Sequence, residues 1–377
     1  MKRWILRILT MVVLPMLILA ACTPPIIPQP TPISTPQAVP PPSVPASPTL
    51  SAEDSAWGKV AEAARKEGTL TVYSVHLVGD VATKVMQAFN NRTGLRVEIV
   101  SGPSATALER VKTERRAGSQ IGSVMTGNAS MFLAAKADGL NQSIGYLPEL
   151  RKKIPEGIRF EPGVDKEGHV LAFAANTGSV WVNTNSVRPG TEPRSWKDLL
   201  KPEWKGKIAM GDPNLMPTPN QIYVPLTNRG LLDDAYFRAL GKQELQMQSS
   251  SRMDFAALSR GQAQLVFGGS ASSAGFFVAE GAPIKAIDMA EGVVTIRSSV
   301  VALVQGAPHP NAGRVFLNWL YSTEGQTVVL GTIGLMGFRK DMPNFEPPQA
   351  RFDPANRIIA TPEEEVQIGE VQRVGSK

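Results

Sequence analysis

From Trp57 onward the chain alternates between two hydrophobic periodicities, and that alternation limits the fold more than any other feature. Residues 57–66 (WGKVAEAARK) put Val60, Ala63 and Ala64 on one helical face. Gly68 stops this helix, because glycine takes a left-handed backbone without steric cost. Residues 69–75 (TLTVYSV) then read as a β-branched strand. The same order repeats with a helix near 80–91, a stop at Gly94, a strand over 95–100, a helix over 104–117, a strand over 121–125 and a helix over 128–137. This βα alternation predicts an open parallel sheet covered on both faces. Near Val170 the strand pattern lengthens (VLAFAANTGSVWVNTNSV), as expected where a chain crosses from one sheet to another. A second α/β region runs to about Ile296, with helices near 233–240, 253–260 and 270–280 and a strand over 264–267. The apolar strand 298–304 returns, and an amphipathic helix spans 310–321. Beyond Asp341 the tail is broken by Pro and turns acidic at Glu363, Glu364 and Glu365, the pattern of a short surface helix.

What precedes this region is different in kind. Lys2, Arg3 and Arg7 lead an apolar run from Ile8 to Leu19, followed by Ala20 and Ala21, which is the layout of a secretory signal and too short for a membrane span. The chain's single Cys stands directly after it, at position 22. One Cys excludes an internal disulfide and a thiolate zinc cluster, and three His leave little for an imidazole-built metal site, so no metal and no cofactor is expected. From Thr23 to Leu50, 11 of 28 residues are Pro and none is charged, which describes a semi-rigid polyproline-like spacer. The formal charge of +6 falls to about +3 without Lys2, Arg3 and Arg7, so bulk charge gives no support to nucleic-acid binding.

Leu19-Ala20-Ala21-Cys22 resembles the bacterial lipobox, which implies a lipid on Cys22 and a place in the cell envelope, on the outer face of the cytoplasmic membrane or in the periplasm. Further on, four stretches resemble the extracellular solute-binding proteins of bacterial ABC importers, in the two-lobed group that includes ferric-iron, thiamine, polyamine and phosphonate binders. They are 57–74 (WGKVAEAARKEGTLTVYS), 88–94 (AFNNRTG), 195–213 (SWKDLLKPEWKGKIAMGDP) and 309–326 (HPNAGRVFLNWLYSTEGQ), with Gly334 and Arg339 after them. The resemblance implies an α/β, two-lobed, type II periplasmic-binding fold with two hinge crossovers. It implies a monomer that captures a small polar or anionic solute and delivers it to a permease and its ATPase. The organisation expected is a signal at 1–21, a tether at 22–50, a first lobe from 51–175 plus 298–377, and a second lobe from 176–297.

Ligands of open α/β sheets bind beyond the carboxyl ends of strands, where helix N-termini carry partial positive charge. Loops of that kind supply the expected ligand contacts: Ser74 and His76, Ser101 and Gly102, Thr126, Gly127 and Asn128, and Gly269 and Ser270. Asn176 falls at the outward crossover and Arg297 at the return, where a cation could pair with an acid. For each loop a satisfied helix cap is as good a reading as ligand contact. Ferric binders of the resembling group hold iron with adjacent tyrosines, and after strand 264–267 this chain has Ser270 and Ala271 instead, which argues against iron. Ala271 to Gly275 imitates a nucleophile elbow around Ser273 but lacks the first Gly, and no base is identifiable, so no catalytic residue is expected. A ligand-sensing lipoprotein of the same fold is the competing class.

Overall fold

The computed structural model describes residues 52–375; the expected signal, Cys22 and the Pro-rich spacer lie outside the described residues. The first elements are α1 (Ala52–Glu67), β1 (Thr69–Ser74), α2 (Asp80–Thr93), β2 (Arg96–Ser101), α3 (Ser104–Arg116), β3 (Val124–Gly127) and α4 (Ala129–Ala137). Then β4 (Asn141–Gln142) and α5 (Pro148–Arg151) lead into the long strand β5 (Val170–Asn183). The middle of the chain forms β6 (Ile208–Gly211), α6 (Thr218–Asn228), α7 (Asp234–Leu240), β7 (Gln246–Gln248), α8 (Ser251–Ser259), β8 (Leu265–Ser270), α9 (Ala271–Ala279) and β9 (Ile284–Ile287). A second long strand, β10 (Val293–Val304), returns to α10 (Pro310–Leu320), α11 (Thr323–Ile333), β11 (Met336–Gly337), β12 (Arg357–Ile359) and α12 (Pro362–Gly375).

The main strands line up as β2-β1-β3-β10-β5-β8-β6-β7. β1 is parallel to β2 and β3, and β6 is parallel to β7 and β8, so each end of the sheet is a parallel α/β unit. Between them β5 and β10 run antiparallel. Two apolar cores result. Val170 to Ala175 of β5 and Val300 to Val304 of β10 belong to the first, with Phe89, Phe132, Phe316 and Trp319. Val180 to Val182 of β5 and Val293, Val294 and Ile296 of β10 belong to the second, with Trp196, Phe255 and Phe267. The fold is therefore two-lobed, with two strands passing from one core to the other. Their ladder pairs Val294 with Gly178, Thr295 with Thr177 and Ile296 with Asn176, then breaks register before Ser299 meets Ala174. A break in the ladder leaves backbone groups unpaired and the strand locally bent, and it falls where the chain leaves one core for the other.

Several local expectations take a different form. The strand expected over 121–125 occupies 124–127, because the Glu114 carboxylate accepts from the amides of Ile121 and Gly122, at 3.0 and 3.1 Å, and removes them from ladder pairing. Gly268, Gly269 and Ser270 lie inside β8 rather than in a loop. A Cβ on Gly269 would stand 2.7 Å from Trp181 and 2.8 Å from Phe255, so packing, not ligand approach, calls for glycine there. In the stretch 195–213, Ser195 and Asp198 form the capping box that the spacing suggests, at the head of a 3₁₀ turn. Trp196, Leu199 and Trp204 are buried in the second core, and the Trp196 indole donates to the Gly292 carbonyl at 2.9 Å.

The acidic tail departs most from expectation. α12 is no surface helix: Glu364, Glu365 and Ile368 are buried, and Ile368 joins the second core together with Ala350, Phe352 and Ala360. The stretch expected to belong wholly to the first lobe thus serves both. Its start is a second capping box, with the Glu364 amide donating to the Thr361 hydroxyl at 3.2 Å and the Thr361 amide to the Glu364 carboxylate at 2.8 Å. That box and the spacing of Ile368 and Val371 were present in the sequence, masked by three consecutive acids.

Candidate functional site

The carboxyl ends of β1, β2 and β3 in the first lobe and of β6, β7 and β8 in the second carry the loops that open α2, α3, α4, α6, α8 and α9. Within this set the expected residues divide. Ser74 is fully buried: its hydroxyl meets that of Thr126 at 2.7 Å and accepts from the amides of His76 and Leu77. Thr126 and Gly127 are buried in β3, and a Cβ on Gly127 would stand 2.5 Å from the Ser104 hydroxyl. Ser270 caps α9, accepting from the Ser273 amide at 3.3 Å and donating to the Ser273 hydroxyl at 2.8 Å. For these positions local structure accounts for the side chain, since a short hydroxyl beside a helix start satisfies the backbone first.

Others remain accessible. Ser101 is exposed and donates to the Leu77 carbonyl at 2.7 Å, while Gly102 has open space where a Cβ would stand. Asn128 caps α4 in position but makes no capping bond, and is exposed. His76 is half-buried as a residue, but its ring lies edge-on to Phe173 at 5.9 Å and its Nε2 is buried and without a partner. Burial pulls its pKa down to about 4, opposed by a hydrogen bond with the Gly127 backbone, so the ring is neutral near pH 7. Asn176 joins the crossover to the second lobe's α9: its Nδ2 donates to the Ser272 hydroxyl at 2.8 Å, and its Oδ1 accepts from the Ser272 amide at 3.3 Å. Arg252 stands in the first turn of α8 with its guanidinium 4.6 Å from the Phe276 ring centroid.

Arg297 is the charged group at the centre. It is 5% exposed, and each part of it is used within the chain. Nη1 donates to the Gly163 carbonyl and Nη2 to the Ala360 carbonyl, at 3.1 and 3.2 Å. Its amide and Nε both donate to one oxygen of Glu365, at 2.9 and 3.1 Å. Asn128, Ser130, Gln221, Ser298, Arg297 and Glu365 line a cavity of about 60 Å³ that takes walls from both lobes. The loop 212–217, which brings Pro217 to this cavity, was missed in the sequence because its prolines hide the strand-to-helix transition. A larger cavity of about 450 Å³ lies between α6, α7 and the sheet, lined by Met210, Tyr223, Phe237, Leu245 and Phe267, and its apolar walls do not suit a charged solute.

Two arrangements that resemble metal or iron chemistry are already satisfied. Asp165, Glu167 and His169 bring ligand atoms within 4.8 Å of one another, but the Lys136 ammonium sits 2.8 Å from Asp165 and also meets Glu167, supplying the cation. The Tyr73 phenol is buried and donates to Glu114, and burial together with that carboxylate raises its pKa well above the ordinary value. It is no ready phenolate.

A fold of two α/β lobes, crossed twice by long antiparallel strands and with the starts of α4 and α6 lining one cavity, is that of the type II periplasmic solute-binding class. The chain belongs to the family described as bacterial extracellular solute-binding protein, whose profile matches residues 70–330. It functions as the solute-binding component of an ABC transporter. Among curated relatives it is 26% identical to iron uptake protein A1 of Synechocystis over 122 residues, 32% of each chain. It is also 26% identical, over 73% of this chain and 80% of the relative, to a periplasmic protein of Salmonella typhimurium whose name assigns it to 2-aminoethylphosphonate. The fold matches Trichodesmium FutA, solved with iron and citrate, at a TM-score of 0.66 and 19% identity over 82% of this chain and all of that one. It matches Actinobacillus pleuropneumoniae AfuA, solved with fructose 6-phosphate, at 0.62 and 18% identity over 82% and 97% of the two chains.

Proposed function

We propose that the protein is a lipid-anchored capture subunit on the outer face of the cell envelope, taking a small anionic solute between its lobes. The observation that carries this is the hinge. Two cores joined by β5 and β10, with the ladder broken between Ile296 and Ser299, can rotate about a short segment without disrupting either core. A solute touching both lobes makes contacts only in the closed state and so favours it by that difference. Ser101, Gly102, His76 and Asn128 are the first lobe's contributors, with Asn176 at the hinge and Ser272 and Arg252 across from them.

The charge of the solute follows from what faces it. Helix N-termini at α4, α6 and α9 favour anions, and Arg252, exposed in the first turn of α8, adds a cation. Relatives named for a phosphonate or solved with a sugar phosphate agree with a phosphonate or phosphate group as the anion. Lipid on Cys22 would hold the protein to the membrane, with residues 23–50 as the spacer, and the closed monomer would dock on its permease and ATPase. No reaction is assigned: Ser273 is tied to the α9 cap rather than to a base. Direct ferric binding is the lesser reading, since Tyr73 is committed to Glu114 and serines occupy the start of α9. A sensing lipoprotein would use the same cleft.

Native mass spectrometry of the full-length protein from its source tests the reading. An organic anion released on denaturation supports it. Stoichiometric iron without an organic anion replaces it with the ferric reading. Calorimetry with 2-aminoethylphosphonate, inorganic phosphate, fructose 6-phosphate and ferric citrate then ranks the chemistry, and failure of every anion to bind overturns it.

A further inference from the structure

We propose that α12 carries a tethered internal anion: the Glu365 carboxylate occupies a carboxylate site at Arg297, between the lobes, and free carboxylates or phosphonates compete with it. This deepens the reading of an anionic solute given above and rests on it for biological meaning. Two carbonyls, of Gly163 and Ala360, accept from Nη1 and Nη2 and fix the guanidinium. The amide and Nε of Arg297 are thereby aimed together at a single oxygen. Charge-assisted donors paired in this way select a carboxylate or a phosphonate oxygen. The second oxygen of Glu365 has no hydrogen-bond partner although the residue is only 4% exposed, and the residue lines the interlobe cavity that also receives the first turn of α4. An orphaned carboxylate oxygen is costly, so Glu365 fills the site without satisfying it.

The rest of α12 makes that occupancy bridge the lobes. Gly369 lies against Ser130 of α4 so closely that a Cβ would stand 2.6 Å from the serine Cβ. On the other side Glu364 pairs with Arg229, and the Gln367 side-chain Oε1 accepts from Asn228 Nδ2 at 2.9 Å, both at the end of α6. The helix therefore does within the chain what a bound solute does from outside: it presents a carboxylate at the hinge and touches both lobes. Displacing Glu365 frees the donors of Arg297 and loosens α12, coupling the tail to lobe movement. Glu364, Arg229, Glu363, Lys166, Asp165 and Glu167 are among the other charged groups around the start of this helix.

The experiment is chemical rescue in the full-length protein. Glu365→Ala leaves Arg297 without its anion, and added acetate should raise the thermal midpoint of this variant saturably above the drift seen with potassium chloride at equal ionic strength. In wild type the tethered carboxylate holds the site at the concentrations that rescue the variant, so only that drift should appear there, and displacement, read as faster deuterium exchange of α12, should need higher acetate. A folded Glu365→Ala protein that gains nothing from acetate, formate or phosphate overturns the proposal. If Glu365→Ala does not fold, Glu365→Gln decides: acetate should outcompete the neutral amide and speed deuterium exchange of α12, whereas exchange that ignores acetate overturns the proposal. Calorimetry on the cleft is read separately. A protein that binds none of the phosphonate and phosphate probes yet shows rescue loses the functional reading and keeps this one; binding without rescue does the reverse.

Discussion

Arg297 and Glu365 stand 68 positions apart in sequence, and the backbone amide and side-chain Nε of the first both donate to one oxygen of the second. The pair is almost wholly buried, where breaking an ion pair from one side leaves an unmatched charge, at a cost of about 3–5 kcal/mol. Arg297→Ala should therefore destabilise the protein by that order in urea unfolding, and by more than Glu365→Gln, which keeps an acceptor in place. Equal costs would show that the guanidinium's bonds to Gly163 and Ala360 contribute nothing.

Stability should also depend on pH near neutrality. Burial pushes the Glu365 carboxyl up to about 7 against the pull of Arg297, and pushes Asp254 up to about 7 as well. An acid whose folded pKa is raised binds more protons folded than unfolded. Its contribution is therefore present in full below the ordinary carboxyl pKa and lost as pH rises through about 7. The loss is on the order of 3 kcal/mol per group. Urea midpoints taken from pH 5 to pH 8 should fall with pH, and the fall should flatten in Glu365→Gln and Asp254→Asn. A profile identical in all three proteins contradicts the assignment.

The His76 ring should not titrate in the physiological range. Its midpoint, followed by proton NMR of the imidazole, is expected near 4, and a midpoint at 6 or above would mean that the ring is more solvated than its place against Phe173 allows.

Filling the cleft should abolish capture without unfolding the lobes. Ser101 and Asn128 are exposed, and the one side-chain bond of Ser101 goes to the Leu77 carbonyl, so Ser101→Trp and Asn128→Trp should lower the thermal midpoint only slightly and lose affinity for the anionic probe. Arg252→Glu should weaken the same binding more at low salt than at high salt, since an exposed charge acts through a screened field. Undiminished affinity in calorimetry would move the site elsewhere.

Gly269→Ala measures packing alone. The new methyl group would meet Trp181 and Phe255, and overpacking of this kind costs about 1–3 kcal/mol. A neutral effect on the thermal midpoint would show that the two rings can give way.

Local patterns in the sequence carried the alternation of strands and helices, the capping box at Ser195 and the two crossovers, because each depends on residues close together in the chain. The site was less legible. Ser74, Thr126 and Ser270 have the composition of ligand loops, yet their hydroxyls bond one another or the backbone, and only the third dimension shows which amides they satisfy. Glu365 was hidden for the opposite reason. A run of three acids reads as a solvated face, and the arginine that buries one of them belongs to a strand 68 residues earlier.

The division of the cores also bears on how the chain acquires its structure during synthesis. The first core takes its central strand from Val300 to Val304, and the second takes Ala350, Phe352, Ala360 and Ile368 from near the carboxyl terminus. Neither can close around a nascent chain that ends before those residues emerge. The first lobe can thus close before α12 is made, whereas the second waits for Ile368, and a chain cut short before α12 should be open to proteases in the second lobe first.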